Sequence, residues 1–360
     1  MRWTQRPEGS NWGDFGADDQ LGRTNLIGPE QVRKGVSEVH EGLSLCLSLP
    51  LDFPGGNALN VRRHPPRLTP TKREDIEYLN FPLGHVYEGA SDVVSDDQVV
   101  LSLQYSTQWD SFAHVGSLFD SLGDGREQIT YYNGYRGHEH ILGPTDHGLP
   151  GKSRPYRPVC CASGASGAPS TSVAKALGIE NLAVKGMQGR AVLIDIARVF
   201  GMEFQDIGYE QLMHAMQATG ATVEPGDMVL LRTGFSELVL EMNRKPDEAR
   251  LHQSCAALDG SDHRLLQWIA ESGLTALIAD NYAVERHPPR NAPTDGSRHA
   301  VLPVHELCLF KLGIPLGELW YLKELADHLH RLGRTRFLLT APPLRLPGAV
   351  GSPVTPIATL

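Results

Sequence analysis

Ala191-Val192-Leu193-Ile194-Asp195 is a short, unbroken apolar run that ends on a carboxylate. A run of this length without polar alternation predicts a strand buried on both faces, as in a sheet covered by helices on each side. The pattern recurs outward from it. Met228-Val229-Leu230-Leu231-Arg232-Thr233-Gly234 follows a turn at Pro225-Gly226-Asp227, Leu274 to Ala279 reaches Asp280, and Phe337-Leu338-Leu339-Thr340 reads as a closing strand. Helical segments lie between them: Tyr209 to Thr219 stopped by Gly220, Asp262 to Glu271 with Asp262 as its N-cap, and His305 to Leu312 before Gly313. Nearer the start, Gly28-Pro29-Glu30 opens a helix to about Glu41, and Leu43 to Leu51 alternates as a strand. Strands alternating with helices predict an α/β sheet, although periodicity does not give the strand order. Residues 52–96 are rich in Pro, Gly and charge without sustained periodicity and read as a long irregular excursion from a single domain over 1–360.

Composition narrows the function classes. The chain has 360 residues, 41% of them hydrophobic, and a net charge of −9, which argues against a nucleic-acid or anionic-membrane binder. Arg62-Arg63-His64 and Lys72-Arg73 are short basic runs and read as solvated loop surface. Cys46, Cys160, Cys161, Cys255 and Cys308 are scattered and lack the CxxC spacing of a structural zinc site, so they read as reduced, mostly buried residues. The first residues carry no apolar core of signal-peptide length, and no window reaches the roughly 18 apolar residues of a membrane span. The expected location is the cytoplasm, and the expected partner a small-molecule substrate.

The densest set of ligand-capable side chains is Gln104-Tyr105-Ser106-Thr107-Gln108-Trp109-Asp110-Ser111-Phe112-Ala113-His114. Val99, Val100, Leu101, Leu103 and Tyr105 precede or enter it and favour a strand. Alternation then places Gln104, Gln108 and Asp110 on one face, with Tyr105 and Trp109 on the other and His114 just beyond. A second segment, Leu302-Pro303-Val304-His305-Glu306-Leu307 followed by Leu316-Gly317-Glu318-Leu319-Trp320, can add an imidazole and a carboxylate. Together the two suggest a split metal site. Asp280 with Asn281, at the end of a strand, and Glu285 are second-rank candidates, and Trp12, Phe15, Trp109 and Phe112 are candidates for an aromatic wall. His138 and His140 read as part of a mobile polar loop, and Ala162-Ser163-Gly164-Ala165-Ser166-Gly167 as a small-residue loop without the context of a phosphate cradle.

These residues carry a family resemblance. The chain resembles the cyclase family of metal-dependent hydrolases, which includes bacterial kynurenine formamidases, isatin hydrolases and trans-dienelactone hydrolase. The family string HxGTHxDxxxH corresponds to Gln104 through His114 with matched spacing at every ligand position, and further likeness runs through Asn11-Trp12-Gly13, Tyr132-Asn133-Gly134, Leu302-Pro303-Val304-His305 and Gly351-Ser352-Pro353. The resemblance implies a single α/β domain with a mixed sheet and flanking helices, and a homo-oligomer, dimer or tetramer. It puts the metal-binding positions at Gln104, Gln108 and Asp110, the acid/base histidine at His114, and the later His and Glu of two-zinc formamidases at His305 and Glu318. Two family histidines are thus glutamines here, a form associated with trans-dienelactone hydrolase-like members.

A carboxamide in place of an imidazole keeps the charge of the site but is a harder, weaker donor for zinc, so the expected ion is zinc or manganese. The expected chemistry is metal-assisted hydrolysis of a small cyclic ester, with His114 or Glu318 moving the proton. Hydrolysis of a cyclic or N-formyl amide is the alternative. A secondary-metabolite cyclase and a binding protein with a vestigial site are the further readings.

Overall fold

The computed structural model describes residues 2–147 and 170–360. Cys160, Cys161 and the 162–167 loop therefore lie outside the described residues. The core is a nine-stranded sheet with strands β1 (Ser44–Cys46), β2 (Gln108–Asp110), β3 (Gln188–Asp195), β4 (Met228–Arg232), β5 (Ala276–Ala279), β6 (Leu316–Glu318), β7 (Arg336–Thr340), β8 (Gly351–Pro353) and β9 (Ile357–Thr359). Their spatial order is β1-β9-β7-β3-β4-β5-β6-β2-β8. The centre, β3 through β6, is parallel, and the strands added on either side are antiparallel. This is the mixed α/β sheet with flanking helices that the family resemblance implies.

The parallel centre follows from composition. Ala191, Val192, Ile194, Met228, Val229, Leu230, Ala276, Ile278 and Ala279 are wholly buried, as strands sandwiched between helical layers must be. The helices present apolar stripes to it. Leu212 and Ala215 are buried on Tyr209–Thr219, which ends at Gly220 with φ +72°, and Leu265 and Ile269 are buried on His263–Glu271. Asp262 caps the latter helix through the N–H groups of Arg264 and Leu265, as its position predicts. On β3, Arg190 Nε donates to Asp227 Oδ1 at 2.8 Å, so a buried charge is matched by a buried charge.

Five expectations need correction. The first helix is Pro29–Val36 and stops at Ser37, short of Glu41, and the strand read over Leu43 to Leu51 is only Ser44–Cys46. Residues 52–96 are not irregular throughout: Arg67–Pro70 pairs with Asp97–Val100, Lys72–Arg73 with Ile76–Glu77, and Phe81–Pro82 with Val93–Val94. These pairs are very short and mostly solvent-exposed, so no burial pattern marks them in the sequence. The strand expected through Val99 and Tyr105 ends at Val100; the chain then turns, with Tyr105 N donating to Ser102 O, before β2 begins at Gln108. Gln104 therefore does not share a strand with Gln108 and Asp110. The helix expected from His305 is one α turn, Pro303–His305, running into a π-helical stretch, Glu306–Leu312, that ends at Gly313 with φ +59°.

Candidate metal centre

β2 is flanked by β6 and β8, and the register decides what meets there. Gln108 lies opposite Glu318, and Asp110 opposite Leu316. Strand alternation puts Gln108 and Asp110 on one face, and the cross-strand pairing puts Glu318 on the same face beside Gln108. Gln108 Nε2 accordingly donates to Glu318 Oε2 at 3.0 Å. His305 arrives from the turn before the π-helical stretch, its Nε2 3.3 Å from Glu318 Oε1. One ligand atom each from Asp110, His305 and Glu318 lies within 4.8 Å of the others, and all three residues are buried.

Glu285 fixes the imidazole. Its Oε1 accepts from His305 N at 2.9 Å and lies 2.8 Å from His305 Nδ1, while its Oε2 accepts from Val304 N at 2.8 Å. One carboxylate thus closes the start of the helical turn and leaves Nε2 aimed at Glu318, the arrangement of a histidine ligand oriented by an outer carboxylate. Burial works against charge on His305, but the hydrogen bonds to Glu285 and Glu318 outweigh it and raise the imidazole to about 10. Burial and the neighbouring Glu318 push Asp110 up against the attraction of His114. Burial likewise opposes ionisation of Glu318, yet its hydrogen bond to His305 holds it below the ordinary glutamate value. Two carboxylates in one dry pocket are driven apart in this way.

Two buried polar atoms at this spot, Asp110 Oδ2 and Gln108 Oε1, have no hydrogen-bond partner. Buried orphan oxygens are uncommon, and oxygen-rich sets with one imidazole suit a divalent cation. The residues fit such an ion, with Asp110, His305 and Glu318 as the donors already gathered. Gln108 is turned so that its amide N–H bridges toward both carboxylates, at 3.0 Å from Glu318 and 3.4 Å from Asp110. Its oxygen has no hydrogen-bond partner, so in this arrangement the side chain serves the two carboxylates as a donor and keeps a free acceptor beside them.

Above the trio opens a cavity of about 840 Å³ whose lining includes Gln104, Tyr105, His114, His305 and Glu318. His114 Nε2 is 3.9 Å from Asp110 Oδ1 and its side chain is partly exposed, so it stands between the buried carboxylates and the opening. Gln104 reaches the cavity from the turn ahead of β2. A Cβ on Gly351 would collide with the Gln104 carboxamide, so a glycine there gives this side chain its place.

The aromatic wall and Asp280 belong elsewhere. Trp12, Trp109 and Phe112 are buried in the core and are not among the cavity-lining residues. Trp12 Nε1 donates to Phe310 O, Trp109 Nε1 donates to Ala341 O while its ring packs edge-on against Trp320, and Phe112 packs on Tyr132. Asp280 is buried accepting from Thr233 N, Thr233 Oγ1 and Gly234 N, which ties β5 to the turn after β4. Phe15, the fourth aromatic candidate, is likewise absent from the cavity lining, as are His138 and His140; His138 Nδ1 is paired with Asp146 and His140 Nδ1 accepts from Arg136 N. Arg63, by contrast, lines the cavity although the sequence reads it as loop surface, and nothing in its flanking residues signals otherwise. Glu285 is a second-rank candidate in the sequence, but its pairing with His305, 20 residues on, is not legible there.

Residues 47–286 match the family model described as "Putative cyclase". The chain belongs to this cyclase family. A crystal structure described as a novel cyclase is 31% identical over 98% of this chain and 97% of that one, with a TM-score of 0.71. Isatin hydrolase A from Ralstonia solanacearum is 16% identical over 88% of this chain and 91% of that one, with a TM-score of 0.51, and shares the cyclase-family fold. No curated protein matches the chain. Among the described residues no helix is long and apolar enough to cross a membrane.

Proposed function

We propose that this cyclase-family chain is a metal-dependent hydrolase that opens a small cyclic ester. The observation that carries the reading is the buried Asp110–His305–Glu318 trio, of which His305 and Glu318 line an open cavity, with His114 lining it beside Asp110. Asp110, His305 and Glu318 would hold the ion, with Gln104 and Gln108 beside them. A bound divalent ion would supply polarisation of the substrate carbonyl and acidification of water.

The remaining work falls to side chains. Glu285 keeps the His305 ring from rotating, and Gln108 keeps Glu318 from turning away. His114, close to Asp110 yet reachable from the cavity, takes the proton from the attacking water and returns it to the leaving oxygen as the ring opens. Glu318 is committed to Gln108 and His305, so the proton-transfer role is assigned to His114 first. Cyclic and N-formyl amides require the same steps with proton delivery to nitrogen, and isatin hydrolases of this fold make that class the natural comparison.

The test is metal content after purification without chelator, followed by turnover of a panel of lactones, cyclic imides and N-formyl aromatics. Turnover of lactones that depends on added Zn or Mn is the expected result. A protein that binds neither ion, or turns over nothing in the panel with metal bound, would overturn the reading.

A further inference from the structure

We infer that the cavity is built for an anionic substrate, a small hydrocarbon body carrying a carboxylate that Arg63 receives; this rests on the hydrolase reading of the same site. The loop 57–63 forms one wall of the cavity. It is held in shape from within, Arg63 N donating to Asn60 O and Arg62 N to Asn60 Oδ1. The next residue, His64, is pinned by its N–H to Ser102 Oγ at 3.0 Å, and Tyr105 OH reaches across to Gly56 O at 2.9 Å. Arg63 is therefore presented by an anchored loop and not by a free one.

Its guanidinium is fixed but closes no ion pair among the described residues; Asp110 and Glu318 feel its charge from beyond ion-pair distance. Nη1 donates to the backbone carbonyl of Gln104 at 2.7 Å, a neutral acceptor, and no carboxylate closes the rest of the fork among the described residues. Arg23 is likewise held by backbone carbonyls, those of Ile269 and Ala270, but it is buried and is not among the residues lining this cavity, whereas several other buried or partly buried arginines are treated differently. Arg190 is closed by Asp227 and Glu224, Arg232 by Asp195 and Glu237, Arg286 by Asp206, and Arg334 by Glu38 and Glu41. Holding a guanidinium on a cavity wall with its remaining N–H groups unspent is what a bidentate carboxylate site requires before its ligand arrives.

The surroundings define the rest of the ligand. Arg62 stands beside Arg63 on the rim, while Leu59, Val61, Val115 and Leu302 supply apolar lining around the opening. The volume of about 840 Å³ suits a ring-sized body rather than a polymer. Because Gln104 anchors Arg63 through its backbone and lines the same cavity as His114, His305 and Glu318, the carboxylate and the scissile carbonyl of one small molecule can be held at the same time.

The test uses the metal-loaded protein and two probes of one shape, benzoate and the neutral isostere benzamide, with binding followed by calorimetry. The wild-type protein is expected to prefer benzoate by about tenfold or more, the scale of a charge-assisted hydrogen-bonded pair. Arg63→Met should erase that preference at unchanged metal content and unchanged near-UV circular dichroism, and Arg63→Lys, which keeps the charge but loses the fork, should retain part of it. Equal binding of the two probes by the wild-type protein would overturn the inference. So would a benzoate preference that persists in Arg63→Met, because the carboxylate would then be held by the metal alone. Failure of the hydrolase reading appears separately, as absence of turnover across the substrate panel, and leaves these binding results readable.

Discussion

Glu285 Oε1 lies 2.8 Å from His305 Nδ1 and 2.9 Å from His305 N, both residues being buried. One carboxylate oxygen therefore sets both the ring and the backbone of the only imidazole in the buried Asp110–His305–Glu318 trio. Glu285→Gln is expected to weaken metal binding by about 10–100-fold, the usual effect of removing an outer-shell partner. Competition against a chromophoric chelator measures this, and unchanged affinity would show that His305 needs no such support. Gly260→Ala should act in the same direction, because a Cβ at Gly260 would press on Glu285 Oε2 and Pro303.

The glutamine beside the trio makes a prediction about metal choice. Gln108 spends its amide N–H on Glu318 and Asp110, and its oxygen stays unpartnered. Gln108→His replaces a donor bridge with an imidazole acceptor, which suits zinc better than manganese. The ratio of zinc to manganese affinity is expected to rise by about tenfold, or ~1.4 kcal/mol. Titration of both ions into apo-protein reads the ratio directly; a fall would mean that the bridge to Glu318 matters more than the donor type.

For the proton-transfer step, His114→Ala should lower kcat on the substrate found in the panel by about 10²–10⁴ while leaving metal content unchanged. Its position 3.9 Å from Asp110, outside the buried trio, is the reason the two effects should separate. Loss of metal together with activity would instead make His114 a ligand.

Asp262 links two helices, and its effect on stability depends on pH. Oδ2 accepts from Tyr209 N at 2.7 Å, and Oδ1 accepts from Arg264 N at 2.9 Å and Leu265 N at 3.4 Å. Partial burial opposes ionisation, but these N–H groups outweigh it and hold the carboxyl below its ordinary value. A depressed folded-state value means stability that is complete above the unfolded-state value and is lost as pH falls through the folded one. Asp262→Ala is expected to cost about 2 kcal/mol at neutral pH, roughly one cap for each helix, with the gap to wild type narrowing toward about pH 3. Urea unfolding at the two pH values checks both the size and the trend.

Much of this molecule is legible in its sequence because burial leaves a local signature. The unbroken runs at Ala191–Asp195 and Met228–Arg232 read as central strands, and Asp262 and Gly220 mark helix ends, because each signal lies within the few residues it governs. The hairpins of 67–100 leave no such signature, being short and exposed. Trp12, Trp109 and Phe112 mislead for a related reason: an aromatic side chain looks the same in sequence whether it packs in a core or lines a cavity.

The sequence by itself determined the α/β class, the family and the residues from which the centre is drawn, since spacing and residue type are local properties. Only the tertiary structure decided how they act. The pairing of β2 with β6 brings Gln108 against Glu318. The fold after β5 brings Glu285 against His305, and the anchored 57–63 loop turns Arg63 into the cavity. These relations join residues far apart in the chain, and cross-strand register and packing, which no local pattern encodes, set which of them touch.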